Sequence, residues 1–400
     1  MYVLIKAVDT QIATQWLHEE PIQNKSFDIL RKEWAENFNS IVEKLSPVPV
    51  DVSCQNLGVH DFDLRSDMWR EIDIIVSSAA TTKFDERYDI ALAVNAFAAK
   101  HVAEFAVRCV NIKMLLHVST AYVRGNTTGI IQEKAISMGE TPNGSRKLDV
   151  KEEKLLVEEL MNELREKNSL ERKIIIALKN LGLQRARLHG WPNTYSLTKA
   201  MGEMMQELSN ELFCFSGNIR GHRTIDSIAI LFGRGRLKYF LSNPSTILDT
   251  KHPLTYSDLR DIIVSYFKDS PWINEDGKPV KVRKPKIVGI MASFHKHVRR
   301  YILLSKVLKV DSSGFGGYFQ GLRADRDEKV NAIVRLADLY GPYIFFNGVF
   351  DDTNTMALRA TTFDNGVNLE SVFYFDPRCI NWEDYFERTH LPKPSSASEK

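Results

Sequence analysis

Cysteine is scarce in this chain, with four in 400 residues: Cys54, Cys109, Cys214 and Cys379. Their wide separation matches neither zinc-ligand spacing nor a dense disulfide framework, so free thiols in a reducing compartment are expected and a structural metal is not. Charge of one sign is not in excess, because 53 Lys and Arg offset 51 Asp and Glu to a formal +2. That balance supplies no global field for nucleic acid or an anionic membrane. No apolar run reaches the roughly 18 residues of a spanning helix. The opening MYVLIKAVDT lacks the charged start, long apolar run and cleavage site of a secretory signal. Repeats with a period of about 20–50 residues are missing too.

What is present suits a globular chain. With 44% hydrophobic and 26% charged residues, the length allows about two domains. YVLIKAV reads as a short strand, and helical periodicity follows from about Thr10 to Lys44. The runs IDIIVSSAA (72–80) and MLLHVST (114–120) are nearly continuous apolar stretches, as strands buried on both faces are. Between them Asn95 to Val110 places Phe97, Val102, Phe105, Ala106 and Cys109 on one stripe, which suits a crossover helix. The first third therefore reads as a doubly wound α/β unit. KEEKLLVEELMNELREK reads as a solvated amphipathic helix. Asn193 and Thr194 offer an N-cap for a further helix near Tyr195. SPWINEDGKPVKVRKPK, from Ser270, is rich in turn formers and lysine and marks a boundary, with a small, mostly helical domain beyond it.

Two constellations carry chemistry. Tyr195 and Lys199 are four apart and share one helix face; an ammonium beside a phenol lowers its pKa and makes it a usable acid. Tyr2 and Lys6 repeat the interval on a strand, and an ordinary half-exposed helix pair has the same spacing. Ser119 and Thr120 end the strand MLLHVST at the edge where α/β sheets bind ligands, and a hydroxyl there can stabilise charge on a carbonyl oxygen. A strand-end turn with local backbone bonds reads the same way.

HVSTAYV, GWPNTYSLTKAMGEM and AATTKFDERYD resemble blocks of plant alcohol-forming fatty acyl-CoA reductases, members of the extended short-chain dehydrogenase/reductase superfamily. The likeness continues through RTIDSIAILFGRGRLKYFL and DSPWINEDGKPVKV to GPYIFFNGVFDDTNT and FYFDPRCINWEDYF, similar to that family's carboxyl-terminal domain. The resemblance implies a Rossmann-like doubly wound parallel sheet with a smaller, mostly helical C-terminal domain: a truncated NADP-binding reductase domain over 1–270, the helical domain over 271–390, and a disordered tail over 391–400. It implies Tyr195 as general acid, Lys199 as its modulator and ribose anchor, and Thr120 or Ser119 as the carbonyl-binding hydroxyl. Asn95, opening its helix, matches the superfamily's structural asparagine and equally reads as a helix cap. The cofactor implied is NADPH, along Lys6, Asp51, Ala79 and Asn95, with Lys6 placed to pair with the adenosine 2′-phosphate; a surface lysine at a strand end is the other reading of Lys6. The reaction implied takes a long-chain acyl-CoA through an aldehyde to a primary alcohol, in the cytosol or on the cytosolic face of the endoplasmic reticulum. Peripheral membrane contact would come through HKHVRRYILLSKVLKV (295–310), which also reads as a buried helix with a basic end.

The chain departs from the family pattern at cofactor contacts. No strand, glycine-rich turn and helix opens it; MYVLIKA corresponds to a second strand. Gly233, Gly235 and the Gly314–Gly321 cluster read as turns. ELFCFSGNIRGHRTIDS lacks a complete strand ending in Arg-Pro, STILDTKHPLTYSDL is substituted, and Val50 and Ser77 replace an expected Gly and Asn. An exposed sheet edge and poor solubility are therefore expected. These departures keep open a catalytically impaired relative that binds acyl-CoA or a partner. A reductase of nucleotide sugars or hydroxysteroids is a third reading, against which the carboxyl-terminal blocks speak.

Overall fold

A computed structural model describes the chain except residues 25–26, 145–147, 207–212, 216–238, 242–253, 275, 308–333, 336, 352, 354–379, 390 and 392–400. Its contacts form two units. The first spans 1–127, 132–220 and 352–355. Here the β-branched run at the start forms β1 (Tyr2–Ile5), which pairs in parallel with β2 (Ser46–Pro49), Tyr2 opposite Ser46. A second parallel sheet joins β3 (Ile74–Ser77), β4 (Met114–Val118) and β5 (Phe213–Phe215) in that order, Ile74 opposite Met114 and Leu116 opposite Phe213. Parallel neighbours need crossovers, and helices supply them.

The segment of helical periodicity from Thr10 to Lys44 forms several helices. Asp9 caps α1 (Thr10–Leu17) by accepting from the Ile12 amide; a π-helical turn, His18–Ile22, follows, and then only short helices, Asp28–Glu33 and Phe38–Val42. Pro21 lies inside the π turn, and a proline there withdraws a backbone donor from the helical ladder. Asp61 caps α2 (Phe62–Glu71). After β3 the chain makes a helical turn at Tyr88–Ala91, a π-helical stretch at Leu92–Phe97 and α3 (Ala98–Ala106) without a break. The crossover helix thus begins seven residues before Asn95, which stands inside it and does not open it.

Two cores result. Val48, Val50, Met68, Val102, Phe105 and Leu115 pack β2, β4, α2 and α3 together. The other core gathers Tyr88, Leu178, Trp191, Leu197, Met201 and Met204 under α4 (Val150–Glu166), α5 (Glu171–Leu188) and α6 (Thr194–Gln206). Each such fully buried side chain contributes on the order of 1.5–3 kcal/mol.

Burial of β3 on both faces is not what the structure shows. Ile74 is 50% and Val76 60% exposed, with Met114 of β4 exposed beside Ile74. No helix among the described residues covers that face. The two sheets are also not hydrogen-bonded to each other. In the doubly wound order 3-2-1-4-5-6, β2 and β1 take the third and second places and β3, β4 and β5 the fourth to sixth. The first place, with its phosphate loop, is filled by no described strand. The fold is Rossmann-like α/β, built on parallel sheets.

The second unit spans 128–131, 221–351 and 356–400. Thr255 and Asp258 form a capping box for α7 (Tyr256–Asp269), and α8 (Met291–Val307) and α9 (Trp382–Thr389) follow. Two parallel pairs of three-residue strands accompany them, Gly129–Ile131 with Gly348–Phe350 and Tyr239–Leu241 with Lys286–Val288. Turn-forming composition places a boundary near 270, whereas contacts divide the chain near 220. α7 belongs to the second unit because its Leu259, Ile263 and Phe267 share a core with Phe386 and Leu391. The described residues of 270–285 lie inside that unit and include a turn in which the Asn274 amide donates to the Lys278 carbonyl at 2.9 Å, with Gly277 at φ +73°. On α8, His295 Nε2 lies 3.0 Å from Asp338. The tail beyond 391, Cys379, Gly233, Gly235 and the glycines of 314–321 lie outside the described residues. Among the described residues no helix is long and apolar enough to cross a membrane.

Candidate active site

α6 starts where Asn193 Oδ1 accepts from the Ser196 amide at 3.0 Å, the N-cap anticipated from sequence. Helical spacing then sets Tyr195, Lys199 and Glu203 along one face. Tyr195 stacks on Phe84, ring centroids 5.8 Å apart, with the Thr120 side chain near its phenol; the Thr120 hydroxyl itself accepts from the Tyr122 amide at 3.4 Å, as in a strand-end turn. Burial pushes the phenol pKa up, opposed by the nearby Thr120 side chain. Lys199 is 1% exposed; its Nζ donates to Val118 O of β4 at 2.7 Å and lies 3.4 Å from His117 Nε2. The end of β4 and one face of α6 therefore bring Thr120, Tyr195 and Lys199 together. The lowering of the phenol by Lys199 foreseen from spacing is not what dominates here, because the ammonium is directed to β4.

Asn95 performs a different task from a helix cap. Its Oδ1 accepts from the Thr81 amide at 2.9 Å, and its Nδ2 donates to Thr81 O at 3.1 Å and Thr198 Oγ1 at 3.0 Å. A π-helical stretch is a common way to aim one side chain at a functional site. Asn95 thus ties the segment after β3 to α6. The close approach has a visible requirement: a Cβ at Gly202 would collide with the Asn95 carbonyl oxygen. Gly202→Ala is expected to cost about 1–3 kcal/mol through overpacking, read as a lower midpoint in thermal unfolding, with a loss of whatever activity depends on α6 seating against the Asn95 turn.

Two buried groups here had escaped notice. His117, whose only sequence signal is a polar residue in an apolar strand, lies between Ser77 and Lys199. Burial lowers its pKa to about 3, with the Lys199 charge adding to the effect. Glu203 accepts from the Ile136 amide at 3.4 Å; burial pushes its carboxyl up, with that hydrogen bond and the charges of Lys199 and Arg124 opposing the rise.

The residues proposed for the nucleotide lie farther along the sheet edge. Lys6, its side chain 76% exposed at the end of β1, pairs with Asp51 at 2.7 Å. Burial raises the Asp51 carboxyl, but hydrogen bonds from Lys6 and Ser53 outweigh it and hold the pKa at about 2. Ala79 is exposed just past β3. Tyr2 donates to Glu71 at 2.8 Å instead of joining Lys6, so that pair shares only the interval. Among the described residues, groups fitting a nicotinamide ribose (Tyr195, Lys199) and an adenosine phosphate (Lys6) are present, and no glycine-rich turn offers helix N-terminal amides to a pyrophosphate. No cluster of His, Cys, Asp or Glu able to hold a metal occurs among them.

Residues 1–213 match an NAD-binding family described as Male sterility protein, and residues 318–392 match the Sterile family, also described as Male sterility protein. Probable fatty acyl-CoA reductase 4 of Arabidopsis thaliana is 38% identical over 444 aligned positions, covering 98% of this chain and 90% of that protein. The chain belongs to the fatty acyl-CoA reductase family. The Alcohol-forming fatty acyl-CoA reductase of Simmondsia chinensis matches at the same identity and coverage, and Fatty acyl-CoA reductase 1 of Arabidopsis thaliana at 37%. Family membership makes the chain an oxidoreductase with a nicotinamide nucleotide as cofactor. Since 98% of this chain is about 392 residues, about fifty of the 444 aligned positions face no residue of this reductase. The stretches 211–227 and 245–259, read from sequence as shortened or substituted, lie outside the described residues except at 213–215 and 254–259.

Proposed function

We propose that this reductase converts a long-chain fatty acyl-CoA to the primary alcohol through the aldehyde, with NADPH as reductant. The observation that carries the proposal is the convergence of Thr120, Tyr195 and Lys199 where β4 ends. A bound nicotinamide nucleotide would supply hydride to the carbonyl carbon in each of two rounds, one reduced nucleotide per round: after the first the C–S bond breaks, CoA leaves as its thiol and the aldehyde remains, and the second gives the alcohol. Thr120, or Ser119 beside it, donates a hydrogen bond to the carbonyl oxygen as charge develops there. Tyr195 delivers a proton to that oxygen; burial raises the phenol's pKa and so makes it a weaker acid, and the more basic oxygen formed by hydride addition drives the transfer. Lys199 holds positive charge one helical turn away and takes the ribose. The test is fatty alcohol formation from long-chain acyl-CoA and NADPH by the purified chain.

A second reading, a catalytically impaired relative that binds acyl-CoA, is supported by the lack of a pyrophosphate cradle among the described residues and by the uncovered face of β3. Acyl-CoA binding without NADPH binding or product, from a folded preparation, selects it.

The choice of NADPH over NADH rests on Lys6. Lys6→Glu sets two carboxylates against each other at the edge where the 2′-phosphate would lie. Its expected effect is a loss of NADPH preference of about tenfold, or about 1.4 kcal/mol, measured as the ratio of kcat/KM for the two nucleotides. An unchanged ratio removes Lys6 from the nucleotide site.

A further inference from the structure

His117 is a buried imidazole in an apolar strand, and the reaction above leaves it unused. Burying such a ring is costly unless its nitrogens find partners, and both do. Nδ1 lies 3.4 Å from Ser77 Oγ on β3 and Nε2 lies 3.4 Å from Lys199 Nζ on α6. The next residue of the same strand, Val118, receives Lys199 Nζ on its carbonyl at 2.7 Å. Consecutive residues of β4 thus hold one amine, one by side chain and one by main chain. An ammonium has only donors, so the ring nitrogen facing it carries the lone pair, and the ring proton sits on Nδ1, toward the Ser77 hydroxyl. Burial and the neighbouring charge keep this ring neutral, so it stays an acceptor at working pH.

We propose that His117, oriented by Ser77, is a positioning residue that fixes the Lys199 ammonium within the Tyr195 site. The proposal rests on the role given to Lys199 above. Helical spacing alone brings only the Cβ atoms of Tyr195 and Lys199 to about 5–6 Å; a lysine stem has four rotatable carbons, so something must decide where its charge rests. Ser77, one of the departures from the family pattern, supplies a hydroxyl that accepts the Nδ1 proton of the tautomer the ammonium selects.

The test compares His117→Gln with His117→Leu in the full chain. Gln keeps an acceptor near the position of Nε2, and Leu fills similar space with none. His117→Leu is expected to lower kcat by about 10–100-fold through misplacement of the cation, with KM for acyl-CoA within about twofold, and His117→Gln to recover most of the loss. Equal activity of His117→Leu and wild type, or equal impairment of both variants, overturns the proposal. Nitrogen-15 NMR of the imidazole in wild type and Lys199→Met reads the contact without turnover and decides if His117→Leu does not fold. A ring protonated on Nδ1 whose bare-nitrogen resonance moves in Lys199→Met supports the proposal; a resonance that does not move overturns it. A wild-type chain with that Lys199-sensitive ring but no reductase activity upholds the contact and counts against the catalytic reading alone.

Discussion

Tyr195→Phe is expected to reduce alcohol formation by about 100- to 10,000-fold, the range for removing a positioned general acid. The change deletes one oxygen and leaves the ring stacked on Phe84, so the unfolding midpoint and the KM for acyl-CoA should stay near wild type. Lys199→Met should cause a loss of similar size and also weaken NADPH binding, because the same ammonium serves the ribose. Initial rates of alcohol formation, with nucleotide titrations followed by fluorescence, separate the two variants. A Tyr195→Phe protein retaining more than about a tenth of the rate would place the proton donor elsewhere.

A second large effect concerns stability. Glu153 of α4 has a side chain only 2% exposed, yet it is a carboxylate. Arg185 of α5 grips both its oxygens, Nε lying at 3.0 and 2.9 Å with Nη2 on Oε1, while the Tyr88 hydroxyl donates at 2.8 Å and His189 Nε2 stands at 3.3 Å. Burial and the adjacent carboxylate push the Tyr88 phenol well above its ordinary pKa, so it remains a donor. Arg185→Ala strips the strongest partner from a buried charge and is expected to cost about 3–5 kcal/mol, roughly 10 °C in the midpoint of a unit this size. Replacing both members, as in Glu153→Leu with Arg185→Met, should cost much less, because no charge is then left buried without a partner. Calorimetry of the single and double variants checks this. Equal losses in both would mean that packing, not charge, sets the effect. None of the four residues joins the Tyr195 site, so activity should fall only as folding does.

The site was partly legible before the structure. Tyr195 and Lys199 stand four apart on a helix whose cap, Asn193, also lies in the sequence, and periodicity with capping is local information. Thr120 was legible because a buried strand ended there. Asn95 was found but misplaced: a run of Ala and Phe does not announce a π-helical turn or that its helix begins near Tyr88. Glu153 was hidden in a run of charges that reads as solvated, and α4 does expose most of that run. His117 was legible only as an oddity. The exposed face of β3 contradicted its composition, since an apolar run reports what a strand prefers and says nothing of whether a helix arrives to cover it.

By itself the sequence determined the family, the α/β class and the helix bearing Tyr195 and Lys199, because these depend on residue identity and on neighbours a few positions apart. Only the tertiary structure decided that Asn95 reaches Thr198, 103 residues away, that Lys199 turns to His117 across 82, and that Arg185 neutralises Glu153 across 32. Those pairings join helices and strand ends that meet only when the chain packs, so burial and partner choice follow from packing and are written in no local stretch of the chain.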